Sequence, residues 1–191
     1  NVEVVRHRNP HSGAPYNGFR ANFKLVSTVF ATIDGFVPVT AEWKHGNNKI
    51  TLVPPSGVPG KADVDAWTLD AWTLVETMER TALREWREET GIALRSVELM
   101  TPNEGFWTVV RNAHVAYFLF FGEIEKPIEK GPTKFDEVEH LKMVLFPIEE
   151  WVDLIHNPSL WNVNPEFGLE SCAFEATMLG LHWLGKLSFK F

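Results

Sequence analysis

Hydrophobic and polar positions alternate in short blocks through most of this chain. The block 24–33 (KLVSTVFATI) is strand-like, and FVPVTAEW at 36–43 answers it across Asp34-Gly35, a hairpin signal. His45-Gly46-Asn47-Asn48 predicts a second turn, and KITLV at 49–53 a short strand. The Pro/Gly run that follows, PPSGVPG, reads as a loop. From Val75 the period changes to that of a helix, which Gly91 ends as a C-terminal cap. A strand is expected at 95–100, then a loop, TPNEGFW. The stretch 114–124 (HVAYFLFFGEI) is apolar enough to be a central strand. A polar loop, the strand LKMVLFPI, the helix EEWVDLI, an irregular stretch and a closing amphipathic helix at 170–186 complete the pattern. Residues 1–23 are rich in turn formers and read as an extended arm. The uneven alternation of strands and helices predicts an α/β sandwich around a mixed sheet, in one domain.

Composition narrows the class. The chain has 191 residues, 45% apolar and 23% charged, ordinary values for a globular protein. No apolar run approaches the ~18 residues a membrane helix needs, and no secretory leader is visible. A formal charge of −7 argues against a broad nucleic-acid face. The single cysteine, Cys172, cannot form an internal disulfide, which fits a reducing, cytoplasmic compartment. Cys172 falls on an apolar helix and is most simply a core residue. A phosphate-bearing ligand would need metal ions or a local group of Arg and Lys.

The helix after Val75 carries the chemistry. Glu85, Glu88 and Glu89 are spaced i, i+3, i+4 and so share one face. Three carboxylates within about one turn repel one another. A divalent cation removes that repulsion, and hard oxygen ligands suit magnesium, manganese or calcium. Arg84 and Arg87 flank the cluster, while Ala82, Leu83 and Trp86 point the other way, toward a sheet. A solvated acidic stripe is the simpler alternative.

The order of residues reaches further. Glu76, seven residues, then Arg84-Glu85-Trp86-Arg87-Glu88-Glu89-Thr90-Gly91-Ile92 resembles the signature of the Nudix hydrolases. That pattern is Gly, five residues, Glu, seven residues, Arg-Glu-apolar-any-Glu-Glu-any-Gly-apolar. From Glu76 onward, eight fixed positions over 17 residues match. More loosely, KITLVPPSG, the TPNEGFW loop and FDEVEHLKMVLFPIEEW resemble the ADP-ribose pyrophosphatase branch, so the likeness spans roughly 24–155. One position departs: the first Gly of the pattern falls on Asp70, inside the tandem repeat DAWTLDAWTL at 65–74. The nearest glycines, Gly57 and Gly60, lie upstream, and the repeat looks like an insertion between the glycine loop and the helix.

The resemblance implies a Nudix-type α/β/α sandwich over the whole chain, with an arm at about 1–23. It implies a Mg2+- or Mn2+-dependent hydrolase that cleaves the diphosphate of a nucleoside diphosphate linked to another group, X. Glu85, Glu88 and Glu89 would hold the metal. Arg84 would orient a neighbouring Glu, and Glu76 would contact Arg84 or a metal-bound water. The general base would come from the late acidic loop, where Asp136, Glu137 and Glu139 are candidates, Glu137 is favoured and Glu104 is next. Phe106 and Trp107 could stack on a base, and Arg111 and Lys44 could meet phosphates. Each of these has a plainer reading, as core aromatic or surface cation. His114 opens a buried strand and is expected to be packed there. Trp67 and Trp72 are five residues apart, about 140° around a helix, so one regular element cannot bury both in one layer. The repeat is therefore expected to form a substrate-facing lid of two Asp-capped turns rather than more helix. The partner is a small-molecule diphosphate, with no nucleic acid and no membrane, and a homodimer is compatible with the sequence. The alternative class is a Nudix-fold protein of a specialised pathway that acts on an unusual, partly apolar substrate or binds without hydrolysing.

Overall fold

The computed structural model describes residues 2–8, 12–21, 24–44, 48–60, 71–103, 105–110, 113–134, 141–157, 167–169 and 171–187. Expectations that fall on Trp67, Asp70, Glu104, Arg111, Asp136, Glu137 and Glu139 lie outside the described residues.

The chain opens with β1 (Val2–Arg8) and β2 (Pro15–Ala21), paired antiparallel from Val2 opposite Ala21 to Arg8 opposite Pro15. The expected arm is thus a hairpin with its own two-stranded sheet. Its two strands are extended, as the arm was expected to be, but they pair with each other.

Two mixed sheets follow. One is ordered β6-β3-β9-β7, from β6 (Ser56–Gly57), β3 (Lys24–Phe30), β9 (Ala113–Ile124) and β7 (Leu94–Leu99), with β8 (Phe106–Val110) also on β9. The other is ordered β10-β4-β5-β11, from β10 (Leu141–Pro147), β4 (Phe36–Lys44), β5 (Lys49–Val53) and β11 (Phe167–Leu169). The β3–β9 and β5–β11 pairs are parallel. As its apolar sequence suggests, β9 is central, with β3 on one side and β7 and β8 sharing the other.

Asp34-Gly35 does turn the chain, both residues at positive φ (49° and 86°), and Ile33 and Phe36 exchange two backbone hydrogen bonds. Pairing stops there, because β3 gives its edges to β6 and β9 while β4 crosses to the other sheet. The β4 strand therefore does not return along β3 as the turn implied. Three short strands also went unforeseen. The β6 strand lies inside the Pro/Gly loop, β8 takes in Phe106 and Trp107, and β11 follows the irregular stretch.

Helix α1 (Ala71–Thr90) lies on one face of the first sheet, and its contact seam is Met78, Ala82 and Trp86, spaced i, i+4, i+8. The period-2 alternation of β9 supplies the other half. Ala116, Phe118 and Phe120 face α1, and Leu119 faces the opposite core. Leu83 is only partly buried and lies off the seam. The second core joins Phe30, Val37, Val39 and Leu119 to α2 (Ile148–His156) and α3 (Ser171–Trp183). Cys172 is buried there, as expected, and Trp151 donates its indole N–H to Thr177 at 2.8 Å. An α/β/α arrangement results, with α1 on one side and, among the described residues, α2 and α3 on the other. Among the described residues no helix is long and apolar enough to cross a membrane.

Candidate active site

The site is built on the half of α1 nearest its C-terminus. Its inner side is fixed by the Trp86 seam, so residues 84, 85 and 88 are turned outward. Across from them lies β6. That strand is stitched down by its ladder to β3, with Ser27 opposite Gly57, and by the Val29 N–H to the Pro55 carbonyl at 2.9 Å. Ser27 of β3 also donates its hydroxyl to the Met78 carbonyl at 3.1 Å, which ties β3 to α1. A side-chain carbon on Gly57 would collide with the carboxyl group of Glu85. The Glu85 carboxyl can lie in this position against the strand because position 57 has no side chain. Sequence reading placed Gly57 in the loop but did not connect it with Glu85.

Arg84 holds this corner together. Its guanidinium is 2.8 Å from a Glu85 oxygen and 2.8 Å from a Glu88 oxygen, and it donates to the Val58 carbonyl at 2.9 Å. Burial works against the Arg84 charge, but the pull of Glu85 and the hydrogen bonds to Glu88 and Glu85 outweigh it. Its pKa stands above the ordinary value, so it remains a cation at any working pH. Glu88 also has the Lys134 ammonium 3.7 Å away. Glu89 is 6% exposed, the most buried of the three acids.

Glu76 lies on α1 and is exposed. Eight residues of helix separate it from Arg84, about 12 Å along the axis, and the contacts found for Arg84 run instead to Glu85, Glu88 and Val58. Phe106 and Trp107 begin β8 and pair with Tyr117 and Ala116. Lys44 ends β4, opposite Lys49. Trp72 falls in the first turn of α1. The second copy of the repeat, from Ala71, therefore extends the helix, and Leu74 packs on the α1–sheet core. This corrects the expectation that the second copy forms a separate turn: the helical pattern of Leu74, Met78, Ala82 and Trp86 runs back into it.

The carboxylates suit a hard divalent cation as a donor set. They are all oxygen, on one helix face, one of them against a strand that has no side chain to block it. Among the described residues no three carboxylate, imidazole or thiol groups converge on one point. Arg84 bonds two of the three Glu residues and supplies the neutralising charge that three adjacent acids require.

Residues 74–167 match the family model of the NUDIX domain. Three solved structures share the fold. One is an ADP compounds hydrolase at 17% identity and a TM-score of 0.67, over 97% of this chain and 88% of that one. A MutT NUDIX hydrolase from Burkholderia pseudomallei has 14% identity and a TM-score of 0.52, over 82% and 97%. A NUDIX hydrolase from Nitrosomonas europaea has 14% identity and a TM-score of 0.56, over 88% and 98%. No curated protein matches the sequence. At such identities the structures speak for the fold alone, while the family match covers the carboxylate helix.

Proposed function

We propose, for a chain that belongs to the Nudix family of pyrophosphohydrolases, that it hydrolyses the diphosphate of a nucleoside diphosphate joined to a second group, X. Water attacks one phosphorus, the bridging P–O bond breaks, and two phosphate monoesters leave. The observation that carries this reading is the face of α1 that presents Glu85, Glu88 and Glu89, with Glu85 fitted against Gly57. Phosphoryl transfer of this kind needs charge neutralised on the oxygens and a nucleophile held in line.

Glu85, Glu88 and Glu89 would hold Mg2+ or Mn2+. A bound divalent cation would neutralise diphosphate charge and lower the pKa of a water. The chain's own residues prepare the rest. Arg84 fixes the rotamers of Glu85 and Glu88, and the ladder of β6 to β3 keeps the Gly57 wall in place. Outer contacts of this kind orient metal ligands. Glu137 is the proposed base, taking a proton from the attacking water. Chain reach supports it. Lys134 donates its N–H to the Glu88 carbonyl at 2.7 Å, and three residues span at most about 11 Å. Phe106 and Trp107 are proposed to stack on the base, Arg111 and Lys44 to meet phosphates, and Trp67 and Trp72 to contact X. The name of the ADP compounds hydrolase, whose fold extends over nearly the whole chain, favours an ADP-containing substrate.

The test is a panel of ADP-ribose, ADP-sugars and smaller nucleoside diphosphate derivatives, each incubated with magnesium, manganese or excess chelator. Product masses are then read. Two monophosphate products, formed with metal and not with chelator, are expected. Turnover that persists in chelator would remove the metal-dependent reading, and no cleavage of any diphosphate would remove hydrolysis.

A further inference from the structure

An α-helix leaves its last carbonyls without helical partners. In α1 a distant segment satisfies part of that need. The Gly131 N–H donates to the Gly91 carbonyl at 2.6 Å, and Ile92 and Lys130 form an antiparallel bridge. The Lys134 N–H donates to the Glu88 carbonyl at 2.7 Å. Gly91 has φ of 72°, and a side chain there would run into the Gly131 carbonyl, so strap and helix end are fitted to each other. Lys134 also reaches Glu88 a second way, its ammonium 3.7 Å from the Glu88 carboxylate. The main chain and side chain of one residue thus engage the main chain and side chain of another, at the edge of the acidic face.

We propose that Lys134 is a positioning residue that competes with the metal for Glu88. This rests on the reading that Glu88 helps hold a divalent cation. With no ion bound, the ammonium offsets part of the charge of the Glu face. Arrival of the ion at Glu88 displaces the side chain. The main-chain bond of Lys134 to the Glu88 carbonyl remains. The ammonium is 80% exposed, so the competition is modest and tunes affinity rather than blocking the site.

Mn2+ binding to the substrate-free protein, measured by calorimetry, tests this without reference to turnover. Lys134→Met should bind Mn2+ roughly two- to fivefold more tightly, the range set by a surface ion pair. Lys134→Arg should stay near the parent value. Lys142→Met, which removes an equal charge from exposed β10, should shift affinity less than Lys134→Met. In a Glu88→Gln background the Lys134→Met gain should vanish, because the two residues act through one contact. Unchanged or weaker binding in Lys134→Met, or an equal gain in Lys142→Met, overturns the proposal. If Glu88→Gln binds Mn2+ as the parent does, the metal reading has failed as well. If Glu88→Gln weakens binding and Lys134→Met does nothing, only the competition has failed.

Discussion

At Gly57 a single missing carbon lets β6 meet the carboxyl of Glu85. Gly57→Ala must push either the strand or the carboxylate aside. A displacement of about 1 Å in a catalytic constellation can cost ~10²-fold in rate. Gly57→Ala should therefore lower kcat by about a hundredfold at saturating magnesium, with its circular dichroism spectrum unchanged because β6 is only two residues long. A loss under threefold would mean the contact is incidental. The contrast with the Glu residues shows what a sequence reveals at this scale. Glu85, Glu88 and Glu89 are brought together by the period of one helix, so their spacing alone discloses a shared face. Gly57 reaches the same corner only through the pairing of β6 with β3, and no local pattern encodes that. The departure at Asp70 drew attention to the missing glycine without showing which residue stands across from the carboxylates. Lys134 was invisible for the same reason: its link to Glu88 is made by the segment after β9, which returns to the end of α1.

Helix α1 shows both the reach and the failure of pattern reading at the scale of an element. Its C-terminus was legible, since Gly91 supplies the positive φ that ends it and the Thr90 hydroxyl closes the last turn on the Trp86 carbonyl at 2.7 Å. Its N-terminus was not. The Trp spacing in the repeat argued against a regular element, but the second copy joins the helix from Ala71, and Leu74 finds a place on the core. The two copies need not share one environment, so the geometric objection applied to both together and not to either alone. Deleting 65–69 leaves an identical DAWTL ahead of Val75. The helix should keep its first turn, and the thermal midpoint should move by less than about 4 °C, which corresponds to under ~1 kcal/mol. If the first copy contacts X, KM for ADP-ribose should rise while hydrolysis of a small diphosphate is kept. A large fall in the melting temperature would show that the first copy is structural, and equal kinetic loss on both substrates would remove the lid role.

Over the whole molecule, the positions of β3, β4, β5, β7 and β10 followed from the apolar pattern, and the central place of β9 from its unbroken apolar run, while β1, β2, β6, β8 and β11 did not. Nor did sheet membership. Asp34-Gly35 has the sequence and the backbone of a hairpin turn, yet β3 and β4 end in different sheets because partners far along the chain compete for β3. Such competition is settled by packing on both faces of a sheet. Here α1 covers one face of β9 through Phe118 and Phe120, and α3 closes over the other through Leu119.

The sheet packing behind α1 and the ladder of β6 to β3 hold one acidic face of α1 in a fixed place, and the central claim is that this face is a metal site for diphosphate hydrolysis. A magnesium titration of ADP-ribose hydrolysis by the parent protein and by Glu89→Gln tests it most directly. The parent should be inactive in chelator and recover with added magnesium. Glu89→Gln should lose about 10³-fold or more in kcat at every magnesium concentration. Its melting temperature in chelator should be no lower than the parent's, because one of three mutually repelling acids is gone. Full turnover by Glu89→Gln, or by the parent in excess chelator, would contradict the claim.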